Sequence, residues 1–332
     1  MLRWQALPKH PDPAFNQNIH VQEQHEIVSA MSKTHDENRA ANLAKALVLS
    51  EALPYMRRFS GRTVVVKFGG NAMGDQELFD LFARDMVLLR QVGIRPIVVH
   101  GGGPQIGAML EKLQIKSEFI DGLRVTDQAT IDIVEMVLSG SINKQIVSAI
   151  NNAGGTAIGL SGKDGNLIRA ERLTRTKRDP DSNVERVIDL GLVGQPKVIS
   201  TRVLEAFEDS DVIPVIAPIG TGPDGETLNI NADTAAGAIA AATRASRMYM
   251  LTDVEGVLDQ NKELISELKV SEALAAIENG IISGGMIPKI ETCIEAIQGG
   301  VDGAAIIDGR IAHTVLVELF TEGGAGTLIT RG

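Results

Sequence analysis

Thr63-Val64-Val65-Val66-Lys67-Phe68-Gly69-Gly70-Asn71 is the stretch whose reading decides the fold. An apolar run of strand length ends in a lysine and then breaks at a glycine pair. A second unit of the same kind follows in Ile97-Val98-Val99-His100-Gly101-Gly102-Gly103-Pro104. Far along the chain another lysine, Lys289, stands after the glycine turn Ser283-Gly284-Gly285-Met286-Ile287-Pro288. In open α/β sheets ligands sit at the carboxyl ends of the strands. Glycines there let backbone N–H groups approach an anion, and the following helix adds its positive N-terminal end. Two such turns with a remote second lysine point to a pocket that holds and moves a phosphoryl group.

The pattern around these turns alternates. A strand at Thr63–Lys67 precedes a helix over Gln76–Gln91, a strand at Ile97–Val99 and a helix from Pro104 to Leu113. A long helix is predicted over Asp127–Asn152, with Ile131, Val134, Val137 and Leu138 as its apolar stripe, and a strand over Thr156–Leu160. Arg169–Arg186 is charge-dense and reads as an exposed hairpin or loop. Alternation resumes with helix Thr201–Phe207, strand Val212–Ile216, an alanine-rich helix Ala232–Ala245 and strand Met248–Leu251. Helix Lys289–Gln298, strand Ala304–Ile307 and a last strand near Thr327–Thr330 complete the series. Such βαβ alternation predicts an α/β protein with a mostly parallel sheet covered by helices on both faces. The two halves read as lobes sharing one sheet.

Upstream of the first strand, residues 36–59 read as an amphipathic helix carrying Leu43, Leu47 and Met56, kinked by Pro54. It either packs on its own domain or reaches to another subunit. Residues 1–35 read as a disordered or over-extended N-terminal segment, with Met31 as a second candidate start.

Among the 332 residues, 44% are hydrophobic and only 3% aromatic, so the core is aliphatic and alanine-rich. A net charge of −10 argues against nucleic acid or an anionic membrane as the main partner. No stretch is long and apolar enough to span a bilayer. The single cysteine, Cys293, excludes an internal disulfide framework and suits a reducing cytoplasm. It reads as a small buried helix residue. Neither glycine turn matches GxxxxGK[ST] or GxGxxG, which disfavours phosphate-loop nucleotidases and dinucleotide enzymes.

Lys67 ends an apolar strand and so points above the sheet. Lys289 opens a helix, where an ammonium opposes the helix dipole unless it meets an anion. Phosphoryl transfer mainly needs positioning and cancellation of charge, which two ammonium groups could supply. Arg124, in Gly122-Leu123-Arg124-Val125-Thr126-Asp127, stands just before a helix cap and could fork onto a carboxylate. In Thr227-Leu228-Asn229-Ile230-Asn231-Ala232-Asp233, Asn229 and Asn231 share one face of a short strand by alternation. Asp233 is either an N-cap or a carboxylate standing between the two lysines. His100 reads as a turn residue and not as a metal ligand.

Together, Val-Lys-Phe-Gly-Gly-Asn, Val-His-Gly-Gly-Gly-Pro-Gln, Asp-Gly-Leu-Arg-Val-Thr, Leu-Asn-Ile-Asn-Ala-Asp, Leu-Thr-Asp-Val-Glu-Gly-Val and Gly-Gly-Met-Ile-Pro-Lys resemble the amino acid kinase family. They run in the family's order across about 62–332. Within the family they are most similar to the branch that phosphorylates the side-chain carboxylate of N-acetyl-L-glutamate with ATP, in arginine synthesis. The resemblance implies a three-layer αβα sandwich. An acceptor lobe would span 60–225 and an ATP lobe 226–332. Carried over by motif, Lys67 and Lys289 would stabilise the transition state and Asp233 would orient both. Gly102, Gly103, Arg124 and Asn229 would bind the acetylated amino acid, with Arg124 on its α-carboxylate. Gly69 and Gly70 would lie on the phosphates, and Asp253, Gly256, Val257, Leu258, Gly285 and Met286 would hold the nucleotide. Mg²⁺ would arrive with ATP, without a separate protein metal cage.

The N-terminal helix also resembles that of arginine-inhibited members, which interlaces dimers into a hexamer, a trimer of dimers. Glu318 and Gly324 would then contact the effector arginine. One departure is Ala305, where those members often carry a histidine. Other members, such as carbamate or aspartate kinase, are the nearest rivals. A non-catalytic arginine or nucleotide sensor is a further one, disfavoured by the presence of Lys67, Lys289 and Asp233.

Overall fold

The computed structural model describes residues 39–178 and 185–332; the segment expected over 1–35 lies outside the described residues. The chain divides into two compact units, Met1–Pro54 and Tyr55–Gly332. Helix α1 runs over 39–59 and stays helical on both sides of Pro54. In the first unit Leu43, Leu47, Val48, Leu49 and Leu53 are all more than half exposed.

The second unit begins with β1 (Thr63–Phe68), α2 (Gln76–Gln91) and β2 (Arg95–His100). β1 and β2 pair in parallel from Thr63 opposite Arg95 to Phe68 opposite His100. The register therefore brings their glycine turns to one end of the sheet. Asp75 caps α2 by accepting from the Glu77 and Leu78 N–H groups. α3 (Gly103–Lys112) starts directly on the second glycine turn, with Pro104 in its first turn. A small hairpin follows, β3 (Phe119–Ile120) and β4 (Leu123–Arg124), with Arg124 opposite Phe119.

The long helix predicted over 127–152 is three pieces in one rod. α4 (Gln128–Glu135) is capped by Asp127 and passes into a π-helical segment, Met136–Ile142, and then into α5 (Asn143–Asn152). Next come β5 (Thr156–Ser161), β6 (Ile168–Arg178) and β7 (Glu185–Ile199). β6 and β7 form the antiparallel hairpin that the charge-dense stretch suggested. Its inner half is structural and not merely exposed: with β9 (Ile219–Thr221) and β10 (Thr227–Ile230) it closes a four-stranded barrel. Between these lie α6 (Arg202–Glu205) and β8 (Val212–Ala217).

The last third holds α7 (Ala232–Ala242), β11 (Arg247–Thr252), β12 (Glu267–Lys269), α8 (Val270–Glu278), α9 (Met286–Gln298), β13 (Gly303–Asp308), α10 (Thr314–Phe320) and β14 (Gly326–Thr330). The main sheet has eight strands in the order β12-β14-β13-β11-β1-β2-β8-β5. Its pairings are parallel except β13 with β14. Helices cover both faces, α2 packing on α5 and α7 on α9, which makes the three-layer α/β sandwich. Val64, Val65, Val66, Val98 and Val99 are completely buried in the centre, as strands covered on both sides require. β1 and β11 are neighbours, so the early and late halves of this unit share one sheet.

Candidate active site

Where the central strands end, three side chains meet. Asp233 stands in the first turn of α7, and its carboxylate takes Lys289 Nζ at 2.8 Å on Oδ2 and Lys67 Nζ at 3.0 Å on Oδ1. The first contact is an aligned hydrogen bond. The second is a charge contact whose angle is not that of a hydrogen bond. Lys67 also donates to the Leu251 carbonyl at 3.3 Å, tying the end of β1 to the end of β11. Burial alone would raise the Asp233 carboxyl, but the Lys67 and Lys289 ammonium groups outweigh it and hold it below the ordinary carboxylate range. The trio is ionised and carries one net positive charge.

Asp233 can do this because it does not cap its own helix. Asn231 is the N-cap of α7, accepting from the Asp233 and Thr234 N–H groups, and it leaves the carboxylate free. β10 ends at Ile230, so Asn229 and Asn231 do not share a strand face as alternation had suggested. Lys289 is likewise not the first residue of its helix. α9 begins at Met286, which places the ammonium one turn in and beside the trio.

Lys67 and Asp233 form one wall of a cavity of about 240 Å³. Gly70, Gly101, Gly102, Gly103, Ile106, Leu138, Phe119, Arg124 and Asn229 are among its other linings. The structure therefore gathers Lys67, Asp233, Gly70, Gly102, Gly103, Arg124 and Asn229 around one space. Gly69 stands just behind: a Cβ there would meet Lys67 Cε and Nζ at 3.2 Å, so the residue keeps room for the lysine to fold over the turn. At Gly102 a Cβ would lie 2.4 Å from Ile142 Cδ1 and 2.7 Å from Leu138 Cδ2, both on the π-helical segment.

Arg124 is buried at the cavity wall, donating from Nη2 to the Gly103 carbonyl at 3.0 Å and from Nη1 to Ser117 Oγ. Its guanidinium lies 4.5 Å from the centre of the Phe119 ring. Desolvation lowers its pKa from the ordinary arginine value. Asn229 donates to Thr126 Oγ1 at 3.3 Å. Ser117 and Phe119 gave no signal in the sequence, since each acts through a neighbour brought in by the fold, and Thr126 was legible only as part of the helix-cap signal before the long helix. Asn231 could have been found from a capping residue opening an alanine-rich helix.

The remaining candidates lie off this cavity, toward β11 and α9. Asp253 and Leu258 are exposed, as is Gly285, and Met286 is half-buried. Gly256 and Val257 fasten their loop to the sheet: the Val257 N–H donates to Thr327 Oγ1 at 2.8 Å. Gly256 has φ of 151°, and a Cβ would stand 2.6 Å from the same oxygen. His100 is no turn residue. It is the last, fully buried residue of β2. Cys293 is buried in α9, and burial raises its thiol pKa.

A second cavity, of about 350 Å³, is lined by Arg58, Arg247, Glu267, Glu318, Glu322, Gly323 and Gly324 among others. Glu318 accepts from the Ala325 N–H at 2.6 Å, and burial raises its carboxyl pKa. Gly324 has φ of 65°, and a Cβ on it would lie 2.7 Å from Glu318 Oε2.

A parallel sheet with glycine turns at its strand ends, and two ammonium groups on one carboxylate, is the architecture of a phosphoryl-transfer protein. Residues 62–308 match the amino acid kinase family, and the chain belongs to that family. Among curated relatives, the acetylglutamate kinase of Rhodospirillum centenum is 66% identical over 289 residues, 87% of this chain and 95% of the relative. That of Parvibaculum lavamentivorans is 60% identical over 300 residues, 90% of this chain and 98% of the relative. Among solved structures, an N-acetylglutamate synthase from Neisseria gonorrhoeae complexed with coenzyme A and N-acetyl-glutamate superposes with a TM-score of 0.73 at 25% identity. The match covers 86% of this chain and 63% of the synthase. A carbamate kinase from Giardia lamblia bound to AMP-PNP shares the fold, with a TM-score of 0.57 at 20% identity, over 81% of this chain and 98% of that one.

Proposed function

We infer that the chain transfers the γ-phosphoryl group of ATP to the side-chain carboxylate of N-acetyl-L-glutamate, the second step of arginine synthesis. The observation that carries this is the 66% identity to an acetylglutamate kinase along 95% of that enzyme's length. The geometry supports it. A carboxylate nucleophile is already ionised at neutral pH, so the reaction needs no general base. Asp233, held as an anion between two lysines, is therefore an organiser and not a proton acceptor. One acceptor oxygen bonds to the γ-phosphorus as the bond to the β,γ-bridging oxygen breaks, and ADP leaves.

Charge on the transferring group is cancelled by Lys67 from the acceptor side and Lys289 from the nucleotide side. Arg124, fixed by Gly103 and Ser117, takes the α-carboxylate, while Asn229 and the Gly102–Gly103 turn position the rest of the acceptor. Gly69 and Gly70 lie along the phosphates, and Asp253, Leu258, Gly285 and Met286 border the nucleotide, with Gly256 and Val257 anchoring their loop. Mg²⁺ carried by ATP would supply further charge neutralisation on the phosphates.

An ATP-dependent hydroxamate assay comparing N-acetylglutamate with glutamate, aspartate and carbamate tests the substrate. Preference for N-acetylglutamate is the expected result; preference for any of the others overturns the reading.

The second cavity favours a further reading, inhibition by L-arginine. Three glutamates, Glu267, Glu318 and Glu322, line it together with Arg58 and Arg247, which suits a free amino acid with a guanidinium at one end and a carboxylate at the other. The exposed apolar stripe of α1 suits assembly into a homo-oligomer, as a hexameric trimer of dimers. Activity should fall across millimolar arginine; a flat response removes this part. Among the described residues no helix is long and apolar enough to cross a membrane.

A further inference from the structure

Beneath the second glycine turn lies a polar chain, buried at His100 and Asn143 and reaching the surface at Lys144, that the reaction chemistry does not use. Lys144 Nζ donates to Asn143 Oδ1 at 3.1 Å and to the Gly159 carbonyl at 3.2 Å. Asn143 is completely buried at the exit of the π-helical segment. With its oxygen held by the ammonium, its Nδ2 faces the Val215 carbonyl at 2.8 Å, the Leu160 carbonyl at 3.2 Å and His100 Nε2 at 3.3 Å. On its other side, His100 Nδ1 lies 2.9 Å from the Gly101 carbonyl.

These contacts leave the imidazole one state. A carbonyl only accepts, so Nδ1 carries the proton. The amide nitrogen only donates, and its two hydrogens are shared among the two carbonyls and Nε2, the most distant of the three, so a proton on Nε2 would face a donor and find no acceptor there. The ring is neutral, and burial pushes its pKa down to about 4, with the Lys144 charge acting in the same direction. There is no slack around the chain: a Cβ at Gly159 would lie 1.8 Å from Asn143 Oδ1 and 2.4 Å from Lys144 Nζ.

The consequence reaches the cavity. The Gly101 N–H is bound to the Phe68 carbonyl at 2.7 Å, and the Gly101 carbonyl is held by the buried ring. Peptide bonds here are trans, which sets a carbonyl and the next N–H in opposite directions. The Gly102 N–H is thereby turned away from His100, toward the side on which Gly101, Gly102 and Gly103 line the cavity. Among the described residues it has no backbone acceptor.

We propose that His100, locked as the Nδ1–H tautomer by Asn143 and Lys144, is a positioning residue that aims the Gly102 N–H at the transferring phosphoryl group or the acceptor carboxylate. This rests on the kinase reading given above. The buried ring touches neither substrate. It acts through the Gly101 peptide.

Side-chain length supplies the test. In His100→Asn the amide nitrogen stands where Nδ1 stands and can still donate to the Gly101 carbonyl. In His100→Gln the amide lies one atom farther out, on the Nε2 side. The proposal expects H100N to keep kcat near wild type and H100Q to lose about 10²-fold, the cost of a misaimed group. The KM for ATP should be unchanged in both, and both should melt together. Equal activity in the two variants overturns it. A second measurement needs no variant to turn over: ¹⁵N spectra of the wild-type protein, with the His100 signals assigned by their loss in H100N. A neutral ring with Nδ1–H and a bare Nε2 across pH 5–8 is expected; an Nε2–H tautomer or an imidazolium overturns it. If wild type ignores N-acetylglutamate while the tautomer is as stated, the substrate reading fails and the positioning does not.

Discussion

Two single residues, Asp233 and Asp85, show opposite uses of a carboxylate withdrawn from water. Asp233 has two lysines and stays charged. Among the described residues the Asp85 side chain on α2 pairs with His313, whose Nδ1 lies 2.6 Å from its Oδ1, and it is 4% exposed. Desolvation dominates there and raises its carboxyl to about 6, against the lowering effect of His313. Between its unfolded value and about 6 the native protein keeps a proton that the unfolded chain has released. Asp85's contribution to stability is therefore full at low pH and falls as pH rises through that window, by up to about 1.4 kcal/mol per unit. Asp85→Asn cannot ionise and should lose this slope. Urea unfolding of both proteins from pH 4 to 7 checks it; parallel curves contradict the assignment.

At the scale of elements, the sequence was most legible where one strand or helix carried its own signal. The Thr63–Phe68 run and the glycine turns could be read directly because central parallel strands are uniformly apolar. The rod from Asp127 to Asn152 was visible as a helix, but its π-helical segment was not, since apolar spacing does not resolve one extra residue per turn. Closure of the barrel was hidden for another reason: β9 and β10 are three and four residues long, too short for their pattern to say which strands they pair with. β12 and α8 were missed because Glu267–Lys269 is a three-residue, partly charged strand. The pairing of Asp233 with Lys289 spans 56 residues, so only topology could bring it about. The π-helical segment also makes a prediction. In Gly102→Ala the new methyl would press on Ile142 and Leu138, both flexible side-chain ends, so the cavity wall should yield before the backbone does. Steady-state kinetics should show the KM for N-acetylglutamate raised about 10-fold, with the KM for ATP little changed. Equal rises in both would place the strain elsewhere.

Taken whole, the molecule puts its chemistry at the seam of one sheet. β1 and β11 are adjacent, so Lys67 from the early part of the chain and the turn after Leu251 from the late part share one edge of the site. The N-terminal helix serves a different purpose in this account. Removal of residues 1–54 should leave the fold of Tyr55–Gly332 intact, since that unit holds the sheet and both cavities. The truncated protein should form a smaller assembly, which light scattering after size exclusion would measure. An unchanged mass would show that the exposed leucines of α1 do not join subunits.

The central claim is that Lys67 and Lys289 act together on one transferring phosphoryl group. The most direct test is a kinetic cycle of Lys67→Ala, Lys289→Ala and the double variant, with ATP affinity measured separately. The account predicts that each single change lowers kcat about 10²–10³-fold, that ATP binding weakens far less, and that the double variant is much less impaired than the product of the two. Strictly multiplicative losses, or a Lys289→Ala enzyme with wild-type turnover, would contradict it.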